Sequence, residues 1–206
     1  MITGYENKKG ILLDIDNTLY AYEPCHAAAL AACQGELGMD TDIFTTAYKT
    51  AKKTVQDRLN RTAAMHNRQL YFQVFIEQTT GRTDVEKSLA LYATYWHTFL
   101  DNMTPFNWVI PFFKDCQHRQ IPICLLTDLT VHIQLQKCVR LGISPYIHAL
   151  VTSEEVGIEK PHRNMFEHGL QKLACHAHDA VMIGDSLTKD IHGAQELGIK
   201  TIHITP

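Results

Sequence analysis

Two aspartates, Asp14 and Asp16, follow directly on the aliphatic run Gly10-Ile11-Leu12-Leu13. Apolar strands tolerate carboxylates poorly unless these are paired or hold a metal, so the pair calls for positive charge from elsewhere in the chain. Other residues able to do chemistry lie far downstream: Thr127-Asp128 after an apolar run, Lys160-Pro161, and Gly184-Asp185-Ser186 with Asp190 a helical turn later. Gathered in one cleft, these acids, the lysine and the hydroxyl define a chemistry. Clustered carboxylates repel each other, and a hard divalent cation such as Mg²⁺, which favours oxygen ligands, relieves that repulsion. A cation, a lysine, a threonine hydroxyl and N–H groups at a helix start together stabilise charge on phosphoryl oxygens. A carboxylate can also attack phosphorus to give an aspartyl-phosphate. A second carboxylate, two residues on, can then protonate the leaving alkoxide and later activate water.

Positioning these groups requires strands that end at one edge of a sheet. Residues 10–13 read as a buried strand, Pro24 as a turn, and the alanine-rich stretch 26–37 as a helix stopped by Gly38. From Asp42 to about Met103 the pattern stays helical, with apolar stripes through Phe44, Tyr48 and Val55, through Leu70 to Ile76, and through Leu89 to Leu100. The stripe of Tyr92, Tyr95, Trp96 and Phe99 reads as core of this helical segment. Beyond it helices and strands alternate: helix 109–119, strand 121–126, helix 131–141, strand 147–152, helix 162–173, strand 180–183, helix 187–197 and strand 200–204. Alternation implies parallel pairing through right-handed crossovers. The expected fold class is therefore α/β, a doubly wound (Rossmann-like) parallel sheet of about five strands with an all-helical insertion after the first strand. The core is expected over residues 1–20 and 105–206, the insertion over 21–104. Ligands of such sheets bind outside the carboxyl ends of the strands, where Asp14, Asp16, Asp128, Asp185 and Asp190 would converge.

Composition narrows the class further. With 206 residues and a formal net charge of -3 there is no electrostatic footprint for nucleic acid or an anionic membrane. No apolar run reaches about 18 residues and the first residues are polar, which gives the expectation of a cytoplasmic protein. Six cysteines without a C-x-x-C pair read as reduced structural thiols, and His176 and His178 beside Cys175 as a surface turn. The abrupt end at Pro206, after the last strand, leaves open a domain of a longer protein.

Over nearly its whole length the chain resembles the haloacid dehalogenase-like (HAD) superfamily. Asp14, Asp16 and Thr18 match its D-x-D-x-T motif, Thr127 its hydroxyl residue after a buried strand, Lys160 its lysine before a helix, and Gly184, Asp185 and Asp190 its G-D-x-x-x-x-D motif. The insertion resembles the helical cap that members carry after the first strand, and the chain is similar to sugar-phosphate phosphatases of the acylneuraminate 9-phosphate type and to 5′-nucleotidases. The resemblance implies Asp14 as nucleophile and metal ligand, and Asp16 as general acid/base with its backbone carbonyl on the metal. It further implies Thr127 and Lys160 on the phosphoryl group, Asp185 as a direct ligand of Mg²⁺, and Asp190 as support for the metal or the lysine. Asp14 must then stay ionised while Asp16 carries a proton. Asp128 departs from the family, which often has Asn there, and is placed with the substrate-binding groups. Ser186 reads as a helix N-cap. In the cap, Arg68, with His66 and Asn67, is expected to help select the substrate, since a guanidinium suits a carboxylate or phosphate. The implied activity is a Mg²⁺-dependent phosphomonoesterase acting on a small phosphorylated metabolite, sugar phosphate favoured, as a monomer or homodimer. A 5′-nucleotidase, a phosphomutase and a non-catalytic binding module are the alternatives, and Asp16 argues against a dehalogenase.

Overall fold

Five strands, Gly10–Leu13 (β1), Ile123–Thr127 (β2), Ala149–Thr152 (β3), Ala180–Gly184 (β4) and Lys200–His203 (β5), form one sheet in the order β3-β2-β1-β4-β5, every pair parallel. This computed structural model describes residues 2–60 and 62–205, so Met1 and the end at Pro206 lie outside the described residues. β1, β2 and β4 are buried at every position, as continuous apolar strands of a sheet covered on both faces must be, whereas edge strand β5 is partly exposed. Leu13 pairs with Leu125 and with Ile183, which fixes the register so that Asp14, Thr127 and Asp185 all leave the sheet at one edge.

The chain divides into two compact units, Met1–Tyr22 with Thr104–Pro206, and Glu23–Met103. The second is helical: α1 (Tyr22–Leu37, beginning one residue before the unit), α2 (Thr41–Arg58), α3 (Arg68–Thr80) and α4 (Val85–Asp101). Pro24, expected to make a turn, lies instead in the first turn of α1, where its missing N–H costs no intrahelical bond. Phe44, Tyr48, Phe72, Phe75, Tyr95, Trp96 and Phe99 are buried and meet edge-on, tilted or stacked, Tyr95 and Trp96 edge-on with ring centroids 5.0 Å apart and Phe44 and Tyr48 stacked. Leu89, assigned to the same stripe by periodicity, is exposed.

In the first unit the sheet is flanked by α5 (Val109–His118), α6 (Val131–Arg140), the single turn α7 (Ser153–Val156), α8 (Arg163–Lys172) and the single turn α9 (Gly193–Gln195). A Cβ at Gly169 of α8 would lie 2.6 Å from Leu12 Cδ2, so glycine there lets the helix close onto β1. β2 starts at Ile123 rather than 121, since Pro122 has no N–H for the ladder. β3 starts at Ala149, two residues late, because Ser144–Tyr146 forms a 3₁₀ turn with Pro145 near its start. The largest departure is at 187–197, expected to be one α-helix: Leu187–His192 is π-helical, with Ile191 N–H bonded to Ser186 O, and only Gly193–Gln195 is α-helical. Five of the six cysteines are buried, and burial pushes the thiols of Cys33, Cys116 and Cys124 up to about 12 and that of Cys138 to about 11. His176 and His178 sit exposed around a 3₁₀ turn. No helix among the described residues is long and apolar enough to cross a membrane.

Candidate active site

β1 delivers Asp14 at its carboxyl end, where the Asp14 N–H is still held by Ile183 O of β4. The chain then turns through Asn17, whose φ of 63° is a left-handed value that asparagine tolerates better than most residues. Thr18 swings its hydroxyl back to 2.8 Å from Asp14 Oδ2 and 3.3 Å from Asp185 Oδ1. Lys160, 4% exposed, fills its ammonium with three acceptors: Asp14 Oδ1 at 2.6 Å, Asp190 Oδ1 at 2.7 Å and Leu126 O at 2.9 Å. Asp190 reaches it because the π-turn carries its carboxylate beneath Gly184, where a Cβ would lie 2.4 Å from Asp190 Oδ2. The other face of that carboxylate accepts the Ser186 N–H at 3.1 Å, and Ser186 Oγ caps the turn by accepting from Lys189 N–H.

Asp14, Asp185 and Asp190 thus offer carboxylate oxygens within 4.8 Å of one another, while Lys160 is held by Asp14 and Asp190. Burial, with Asp190 nearby, pushes the Asp14 carboxyl up to about 8 despite Lys160, and burial with Asp190 also raises Asp185. Burial works against the Lys160 charge, but Asp14, Asp190 and Asp128 outweigh it and raise this ammonium well above its ordinary value. Hard oxygen donors with an excess of negative charge suit a divalent cation. Asp16, grouped with the metal ligands by resemblance, turns its carboxyl elsewhere. Its Oδ1 is 2.6 Å from Lys137 Nζ and accepts from the Tyr20 hydroxyl, and its Oδ2 is 3.5 Å from Gln134 Nε2. Burial opposes its charge, yet Lys137, Tyr20 and Gln134 hold the carboxyl below the usual carboxylate range. Burial thus favours the neutral form of Asp14, whereas the contacts of Asp16 favour its ionised form.

Thr127 is buried, its Oγ1 2.8 Å from Gln134 Nε2. Asp128 accepts the Lys160 N–H at 3.0 Å on one oxygen and Lys189 Nζ at 2.8 Å on the other, and Lys189 also reaches Glu159 at 3.2 Å. The charge that Asp128 adds is thus met by Lys189, and its carboxylate ties the loop after β2 to the backbone of Lys160. Leu129, next in sequence, has φ 100° and donates its N–H to Ser153 Oγ. In the helical unit Asn67 N-caps α3, and Arg68 is buried as the helix's first residue. Its Nη1 donates to His66 O at 2.6 Å, and its guanidinium lies over the Tyr71 and Tyr95 rings at 5.2 and 5.9 Å. His26, bonded to the Tyr95 hydroxyl, is pushed down to about 4 by burial and by Arg68.

Sequence reasoning missed Tyr20, Gln134, Lys137 and Lys189. Two of them, Gln134 and Lys137, share the buried face of α6 with Ile133 and Cys138.

Residues 8–198 match the family model for haloacid dehalogenase-like hydrolases, and the chain belongs to that family of hydrolases. Among its relatives it is 40% identical over 202 residues to the ribulose-1,5-bisphosphate 5-phosphatase of Halopiger xanaduensis, covering 95% of this chain and 84% of that one. It is 30% identical over 199 residues to the glyceraldehyde 3-phosphate phosphatase of Methanocaldococcus jannaschii, with coverage of 95% and 84%. Its fold matches the magnesium-bound HAD-hydrolase YfnB of Bacillus subtilis with a TM-score of 0.74 at 20% identity, over 96% of this chain and 89% of that one.

Proposed function

We propose that this hydrolase is a cytoplasmic, Mg²⁺-dependent phosphomonoesterase that cleaves a small sugar phosphate through an aspartyl-phosphate. The observation that carries the reading is the meeting of Asp14, Asp185 and Asp190 around Lys160 at the carboxyl edge of the sheet. The two relatives at 40% and 30% identity, both named for phosphosugars, favour a sugar phosphate over a nucleotide. The cysteines form no disulfide among the described residues and are largely buried, which suits a reducing compartment.

Asp14, Asp185 and the backbone of Asp16 would hold Mg²⁺, with Asp190 in support. Once bound, the ion would keep Asp14 ionised and neutralise charge on the phosphoryl oxygens. Asp14 attacks phosphorus, while Lys160 and the Thr127 hydroxyl bind the phosphoryl oxygens. Asp16 gives its proton to the departing sugar alkoxide and then takes one from the water that opens the aspartyl-phosphate. A phosphoryl group entering beside Asp16 brings negative charge, which raises its proton affinity above that of the empty site. The helical unit, Glu23–Met103, serves as the cap that shapes specificity, with Arg68 as its recognition residue.

The test is phosphate release from ribulose 1,5-bisphosphate, glyceraldehyde 3-phosphate and nucleoside monophosphates with Mg²⁺ present. Asp14→Asn is expected to lower turnover on the best substrate on the order of 10⁴-fold or more. Retained activity in that variant would exclude the aspartyl-phosphate.

A further inference from the structure

Lys137, like Lys160, is buried, and the reaction above does not use it. Its setting is unusual for the helix that carries it. α6 turns Gln134 and Lys137 inward, both 0% exposed, and leaves Val131, Leu135 and Val139 in solvent at 41%, 53% and 72%. Spaced four residues apart, those three line one face, so the helix is partly inverted relative to the apolar-inward arrangement that packing favours. Desolvating an ammonium is costly, and the arrangement persists only because Lys137 finds a charged partner.

That partner is Asp16. Lys137 Nζ lies 2.6 Å from Asp16 Oδ1, and the buried Tyr20 hydroxyl donates to the same oxygen. The Lys137 ammonium also sits 5.9 and 6.0 Å from the Tyr20 and Tyr22 ring centroids. Gln134 reaches Oδ2 only at 3.5 Å, and its closer contacts are Thr127 Oγ1 at 2.8 Å and Asp128 O at 2.6 Å. Among the described residues one carboxylate oxygen is therefore engaged by two strong donors and the other by a single long contact.

We propose that Lys137 is a positioning residue for the hydrolysis. With Tyr20 it pins Oδ1 of Asp16, so that Oδ2 is the oxygen that exchanges protons with the leaving alkoxide and the attacking water. Gln134 links this pin to Thr127, which places the proton donor and the phosphoryl-binding hydroxyl in one hydrogen-bonded frame. The inference rests on the phosphomonoesterase reading.

Leaving-group dependence tests it. A nitrophenolate departs without a proton, while a sugar alkoxide needs one, so a misplaced Asp16 harms one substrate far more than the other. With Mg²⁺ present, Lys137→Met is expected to lower kcat/KM on glyceraldehyde 3-phosphate by ~10²-fold and on p-nitrophenyl phosphate by less than ~10-fold. The ratio of the two does not depend on the fraction of variant that is folded. Tyr20→Phe keeps the ring and removes the other donor. It is expected to shift the ratio in the same direction by a smaller factor, and it decides the matter if Lys137→Met yields no folded protein. Equal losses on both substrates overturn the proposal and reduce these residues to packing. A wild-type chain that hydrolyses neither substrate removes the phosphatase reading itself.

Discussion

Asp14 and Asp16 are two residues apart, yet their surroundings differ in charge. Around Asp14 three carboxylates converge and Lys160 is the cation among them. Around Asp16 the carboxylate meets a lysine, a phenol and an amide donor. The first site carries surplus negative charge and suits a divalent ion; the second is balanced and needs none. Only Ile15 stands between the acidic cluster at Asp14 and the balanced contacts of Asp16. A buried lysine meets each, Lys160 at Asp14 and Lys137 at Asp16.

Lys160→Met should break the comparison most severely. It leaves Asp14 and Asp190 buried without their cation, a loss worth ~3–5 kcal/mol of stability, and removes charge neutralisation needed by every phosphate ester. Thermal melts and kcat/KM on both substrates are expected to show a lower Tm and a comparable loss on p-nitrophenyl and sugar phosphates. Selectivity like that expected of Lys137→Met would mean that the two lysines do the same work. A smaller effect belongs to Lys189, which is partly exposed and holds Asp128 and Glu159. Lys189→Met is expected to cost about 1–2 kcal/mol in urea unfolding, discounted for solvent screening, and adding Asp128→Asn should restore much of it because the stranded charge is gone. No recovery in the double variant would show that Asp128 is not balanced by Lys189. Smallest in turnover is Arg68→Ala. If this guanidinium selects substrate, KM for the best substrate rises several-fold with kcat little changed. Unchanged kcat/KM would leave Arg68 its contacts with His66, Tyr71 and Tyr95 alone.

The parallel sheet was legible because β1, β2 and β4 are uninterrupted aliphatic runs, a pattern that depends only on burial from both faces. The meeting of Asp14, Asp185 and Asp190 was legible because Asp14 and Asp185 end such runs and Asp190 lies a helical turn beyond the second, while Lys160 was marked by Pro161 ahead of a helix. What could not be read depends on partners distant in sequence. α6 was recognised as a helix, but nothing local says that its inward face holds Gln134 and Lys137 rather than Val131 and Leu135; the answer lies at Asp16, 121 positions from Lys137. Asp128 looked like a surplus charge because Lys189 stands 61 positions away. The winding of Leu187–His192 was missed for the same reason, since Asp190 bonds both Lys160 and Ser186 N–H there.

That wide turn has a consequence for how the protein can change. A π-turn carries one residue more than the α-helix it replaces, so deleting a single residue between Ser186 and Asp190 would let the segment wind regularly. Regular winding would swing Asp190 by about 100° around the axis, out from under Gly184 and away from Lys160. The segment is therefore intolerant of length variation even where its side chains, such as Leu187, lie in solvent.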